Sequence, residues 1–157
     1  MHGMTATQAL RAAAPAAGDT ITSPDAATEA TGAATGGLRI MLRLEGLTLF
    51  VGMVLLYAVW GGSWWIFAAL FLVPDISIAA YLSGPRFGAM IYNAVHSYLI
   101  PVALMTAGFG TTSPLLLSVA MIWLAHIGID RALGFGLKYS AGFGFTHLGT
   151  IGRAARP

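Results

Sequence analysis

The chain has 157 residues, 57% of them hydrophobic and only 9% charged, with a mean hydropathy of +0.75. Soluble domains carry about a quarter charged residues, so the composition excludes that class and assigns the chain to membranes, with the lipid bilayer as its first partner. A formal charge of +2 is no argument for nucleic acid as a partner. The absence of cysteine excludes disulfides, thiolate metal sites and cysteine nucleophiles.

Residues 1–37 are a run of Ala, Thr, Gly and Pro with scattered charge. Such a stretch buries too little apolar surface to offset its ordering entropy, and it reads as a disordered N-terminal extension. No basic stretch followed by a compact apolar core marks a signal peptide. His2 lies here and carries no weight.

Four apolar segments follow, at about Leu42–Trp60, Trp64–Leu82, Phe87–Ala107 and Pro114–Leu133. Each approaches the ~20 residues that cross a hydrocarbon layer at 1.5 Å per residue. The turns between them, Gly61–Ser63, Ser83–Arg86 and Gly108–Ser113, are short and turn-rich, which demands antiparallel hairpins. The expected fold is an all-α integral membrane four-helix bundle over residues 38–133, followed by a glycine-rich tail over 134–157. Arg39, Arg43, Arg86, Arg131, Lys138, Arg153 and Arg156 lie at the terminal end, whereas the opposite loops carry no charge. The positive-inside rule places both termini in the cytoplasm, and Tyr57, Trp60, Trp64 and Trp65 form an aromatic belt at the far end.

Polar residues in these spans gather toward the terminal end. Asp75, Asn93, His96 and His126 fall roughly 9–14 Å inside, and Glu45 and Asp130 roughly 5 Å, at 1.5 Å per residue. His126 and Asp130 are four apart and share a helix face, as do Asn93 and His96, three apart. Pro74 and Pro101 each remove a backbone hydrogen bond and bend their helices, which opens room for a polar site inside a bundle.

Three readings stay open. In the first, Asp75, His96 and His126 ligate a divalent metal cofactor, since two imidazoles and a carboxylate with an open position suit zinc or non-haem iron. Glu45 and Asp130 are then the candidate catalytic carboxylates, with Asn93, Arg131 and His147 in support. In the second, the cluster is a structural network in which Asp130 or Asp75 neutralises Arg131 or Arg43. In the third, an Asp–His relay moves protons or a small solute, a role that four short helices without an internal repeat would fill only as a homo-oligomer. His-x₃-Asp does not by itself discriminate among these.

After the fourth span, Gly134–Arg153 is too short and glycine-rich for another crossing. It either folds back over the bundle mouth, bringing Lys138, Thr146 and His147 to the polar cluster, or lies among headgroups. Its Gly-x-Gly pairs lack the spacing of a phosphate loop, and no Gly-x-Ser-x-Gly elbow occurs.

Leu44-Glu45-Gly46, Pro74-Asp75 with Tyr81, Gly84-Pro85-Arg86, Tyr92-Asn93 with His96, Trp123–Tyr139 and Thr146-His147-Leu148-Gly149 together form a recognisable pattern. Over residues 38–153 the chain resembles the small bacterial membrane family catalogued as domain of unknown function 4260 (DUF4260). The resemblance implies a four-helix integral protein of a bacterial inner membrane and no particular reaction. A looser similarity to membrane-bound metal-dependent hydrolases rests on Pro74-Asp75 and on the His126–Arg131 and Thr146-His147 elements, although Ser77 stands where those enzymes carry a second aspartate. That likeness implies hydrolytic chemistry only as an analogy.

Overall fold

The computed structural model describes residues 32–152. Most of the extension expected over 1–37 lies outside those residues, as do His2, Arg153 and Arg156. The first helix, α1, runs Gly36–Trp60 and so begins slightly earlier than expected. Its entry is tied down: the Ala34 amide donates to the His147 carbonyl at 2.7 Å, and Arg39 Nε donates to the Ala34 carbonyl at 3.0 Å.

Helix α1 ends on Gly61, whose left-handed backbone lets its amide reach the Ala58 carbonyl. The second span comprises α2, Trp64–Phe71, and a 3-10 segment, Pro74–Ser83. The third comprises α3, Pro85–Val95, and α4, Leu99–Gly110. The fourth is one unbroken helix, α5, Pro114–Leu133, which opens on Pro114 with Ser113 as its cap. All four spans are long and apolar enough to cross a membrane, so the chain is an all-α integral membrane bundle.

Helix α5 is the hub. Half of its most apolar stretch is buried inside the protein, against 6–28% for the other three spans. Ala120, Met121, Ile122, Ala125 and Ile127 are within 2% of complete burial, while the outer faces of the other spans expose Leu, Val and Ile, as lipid-facing surfaces do. Trp64, Phe67 and Phe71 on α2 follow helical spacing and stack along the bundle, with Phe71 meeting the His126 ring edge-on at 5.3 Å.

Tyr57 departs from the expected aromatic belt. It is 1% exposed, because its hydroxyl donates to the Ser63 carbonyl at 2.9 Å and its ring packs edge-on against Trp64 and Phe67. Trp60 and Trp65 remain exposed.

Helices α1 and α5 cross where Gly46 meets Gly128. A Cβ on Gly46 would stand 2.5 Å from Arg131 Cβ and 2.8 Å from the Gly128 carbonyl oxygen, and one on Gly128 would stand 2.7 Å from the Phe50 amide nitrogen. Small residues let helix backbones approach this closely in lipid, where association relies on packing and not on water exclusion. We expect Gly46→Leu and Gly128→Leu each to destabilise by about 1–3 kcal/mol, the usual cost of overpacking. Gly52→Leu should cost little, since a Cβ there meets nothing within 4 Å. Thermal unfolding in detergent checks this, and equal midpoints for all three variants would contradict the close crossing.

Candidate functional site

The proline breaks position two of the polar side chains. Pro74 has no amide hydrogen to continue α2, and the chain tightens into the 3-10 segment with Asp75 in its first turn. Ten residues is long for such a helix, and departures of this kind often mark functional positions. Pro101 cannot donate to the Ser97 carbonyl, and α3 ends at Val95 with His96 leaving helical geometry at φ −97°, ψ 14°. Asp75 and His96 thus sit at helix breaks. His126 and Asp130 occupy successive turns of the unbroken α5.

These four side chains converge. One ligand atom from each of Asp75, His96, His126 and Asp130 lies within 4.8 Å of all the others. The two imidazole Nε2 atoms are 3.2 Å apart. Asp75 Oδ1 is 3.9 Å from His96 Nε2 and 3.7 Å from His126 Nε2, and Asp130 Oδ2 is 3.6 and 3.8 Å from the same atoms. Ligand atoms around one tetrahedral ion with 2.0–2.1 Å bonds lie about 3.3–3.4 Å apart, so this group has the size a single ion requires. Both imidazoles are 2% exposed.

Asp130 joins this group although its rise along α5 suggests a shallower position. Helix side chains tilt toward the N-terminus, which carries its carboxylate back one turn toward His126. Glu45 stands apart: it is exposed on α1 and lies outside the four-residue group.

Tyr92, which the sequence offers only as part of the family pattern and not as a site residue, organises the centre. Its hydroxyl donates to Asp130 Oδ2 at 3.1 Å, and its ring stacks on His96 with centroids 3.7 Å apart. Its carbonyl lies 3.0 Å from His96 Nδ1. A carbonyl only accepts, so that contact puts the His96 proton on Nδ1 and turns the Nε2 lone pair toward the other three groups. The available signal was the four-residue spacing from Tyr92 to His96.

The tail folds back over this end. Asn93 bonds both backbone groups of Lys138, donating to its carbonyl at 2.8 Å and accepting from its amide at 2.6 Å. A short hairpin follows, β1 Phe145–Thr146 paired with β2 Gly149–Thr150, and Thr146 also bridges Lys138. The Lys138 ammonium is buried among aromatic faces, 4.0 Å from the Phe143 centroid, 5.0 Å from Tyr92 and 5.6 Å from Phe135. Burial pushes its pKa down to about 8, with the Asp130 carboxylate opposing part of that shift.

The expected pairing of Asp75 or Asp130 with Arg131 or Arg43 does not form. Arg43 Nε donates to the Ala132 carbonyl at 2.7 Å. Arg131 lies against His147 Nε2 at 2.7 Å, donates to the His96 carbonyl at 3.4 Å and rests over the Tyr98 ring. Among the described residues, the only basic side chains within ion-pair reach of a carboxylate are the two histidines of the centre. The arginines are drawn instead to carbonyls left free at the helix ends.

Residues 39–151 match the family described as Domain of unknown function (DUF4260). The chain belongs to that family. No curated protein and no solved structure matches it.

His147 reports on tail docking. The Leu137 amide donates to its Nδ1 at 2.8 Å, and burial, reinforced by the Arg131 guanidinium, holds its pKa below the ordinary imidazole value. The docked tail therefore binds fewer protons than the released one, and docking is lost as pH falls below about 6.5, the unperturbed histidine value. Limited proteolysis of residues 138–152, normalised to an unfolded peptide, should be faster at acid pH, and His147→Gln should flatten the difference. A wild-type rate independent of pH would contradict this arrangement.

Proposed function

We propose that the chain, as a member of this family, is a membrane-embedded metal-dependent hydrolase in which Asp75, His96, His126 and Asp130 hold one divalent cation. The observation that carries this reading is the composition of the converging group: two carboxylates and two imidazoles from three spans, with no arginine or lysine among them. A lone charge in hydrocarbon costs roughly 2.5–3.5 kcal/mol on insertion scales, and two adjacent carboxylates need a compensating positive charge. Hydrogen bonding alone serves them poorly. Tyr92 supplies one donor to Asp130, and a single N–H shared between the imidazoles leaves the remaining acceptors facing one another.

Nitrogen and oxygen ligands in this number suit zinc or iron(II) better than the all-oxygen preference of magnesium or calcium. Such an ion acts as a Lewis acid and lowers the pKa of water, which makes hydrolysis the fitting reaction class. The chain's own groups supply the rest. His96 is oriented through Nδ1, Asp130 is held by Tyr92, and Phe71 backs the His126 ring. The Asp75 side chain is 43% exposed, against 3% for each imidazole and 15% for Asp130, so water and substrate approach from its side. Glu45 is given no part. The basic end of the bundle, and with it this centre, is read as facing the cytoplasm of a bacterial cell.

Elemental analysis of protein purified without chelators tests the proposal. Wild type should carry about one zinc or iron per chain, the loading expected of a four-ligand site. His96→Ala and His126→Ala should lose it, whereas His147→Ala should keep it. Metal-free wild type that fails to take up zinc or iron(II) would contradict the reading.

A further inference from the structure

Next to the converging group is a cavity of about 470 Å³, lined by Leu70, Val73, Pro74, Ile76, Ile91 and Trp123 among others, with Ser77 its one hydroxyl. Its size falls within the roughly 300–1,000 Å³ of small-molecule sites. The cavity and the centre share their walls. Pro74 and Ile76 flank Asp75 in the chain, Val95, also in the lining, precedes His96, and Trp123 lies one turn from His126. The Trp123 indole donates to the Val95 carbonyl at 2.9 Å, which leaves the buried Ser77 hydroxyl, without a hydrogen-bond partner among the described residues, as the one polar group on an otherwise apolar wall. On the rim, Ile76 is 70% and Val73 48% exposed. Both stand on a membrane span, so the mouth opens sideways toward hydrocarbon and not toward water.

Charge points to the other half of a ligand. A divalent cation would neutralise Asp75 and Asp130. Lys138, buried with no hydrogen-bond partner for its ammonium among the described residues, and Arg131, with no carboxylate partner among them, then leave the centre positive.

We propose that the substrate is an amphiphile drawn laterally from the bilayer, its hydrocarbon chain filling this cavity and its anionic, oxygen-rich headgroup reaching the Asp75 side of the centre. This rests on the metal reading for the headgroup, while the chain site stands on the cavity alone. Specificity for the chain then belongs to Ala80, Ile91 and Val119, which line the cavity from three different segments.

The test uses the full chain in phosphatidylcholine nanodiscs with two photoreactive probes, a long-chain alkyl phosphate and the matching alkyl alcohol, each carrying a diazirine on the chain. Saturable crosslinking of the phosphate probe to cavity residues is expected, with the alcohol competing poorly. Val119→Trp and Ala80→Phe fill the cavity from separate segments, and at least one should fold. Either should weaken saturable labelling by about tenfold, the scale on which an apolar pocket discriminates chain size, while its metal content stays at the wild-type level. Labelling that never saturates, or that persists in a folded cavity-filled variant, would overturn the proposal, because it would report only annular lipid. Equal competition by the alcohol would overturn the headgroup assignment. Loss of metal in His96→Ala with chain labelling intact separates failure of the centre from failure of the chain site.

Discussion

Two carboxylates held against two imidazoles inside an apolar bundle set the terms for this protein. Hydrocarbon does not solvate charge, so Asp75 and Asp130 need a positive partner at short range, and the arginines nearby are engaged elsewhere. Three spans approach through this cluster, and the convergence of their polar groups makes the bundle more than a packing solution. A cation at the centre would supply what neither the lipid nor the remaining side chains provide. It would also add to the Tyr92–Asp130 and Trp123–Val95 hydrogen bonds that already join the third span to the fourth.

The scaffold delivers these groups by departing from regular helix where it matters. Pro74 converts the second span into a tighter segment and Pro101 divides the third, so Asp75 and His96 stand at breaks where side chains can turn inward. The fourth span stays intact and carries His126 and Asp130 on one face. Its close crossing with α1 at Gly46 and Gly128 fixes it as the central rod. Gly134, with a left-handed backbone, then stops α5 and lets the Phe135 amide recapture the Asp130 carbonyl at 2.7 Å. That reversal sends the tail back across the mouth, where Asn93 grips Lys138.

Much of this was legible in the sequence because lipid imposes strong rules. Span number and limits follow from hydropathy and turn chemistry, and the i, i+4 spacing of His126 and Asp130 announces a shared face. The two prolines flag the breaks. Height along a helix misleads for Asp130, since axial rise takes no account of the backward tilt of its side chain. Glu45 has similar sequence credentials, yet it sits on an exposed part of α1, and periodicity around so uniformly apolar a helix gives no sign of its facing. Tyr57 looks like an interfacial aromatic but is buried, because a neighbouring turn offers its hydroxyl a carbonyl. Tyr92 enters the sequence only as part of the family pattern and Lys138 only as part of a tail that folds back, because their roles depend on long-range stacking and cation–π contacts. The choice between a folded-back tail and an interfacial one was open in the sequence and is decided by the Asn93–Lys138 pair.

X-ray absorption at the zinc edge of the reconstituted protein tests the central claim most directly. The account predicts a first coordination sphere of nitrogen and oxygen at about 2.0–2.1 Å, with outer-shell scattering from two imidazoles, and loss of that signal in His96→Ala, which no longer retains the ion. A spectrum without imidazole scattering, or one unchanged by that substitution, would contradict it.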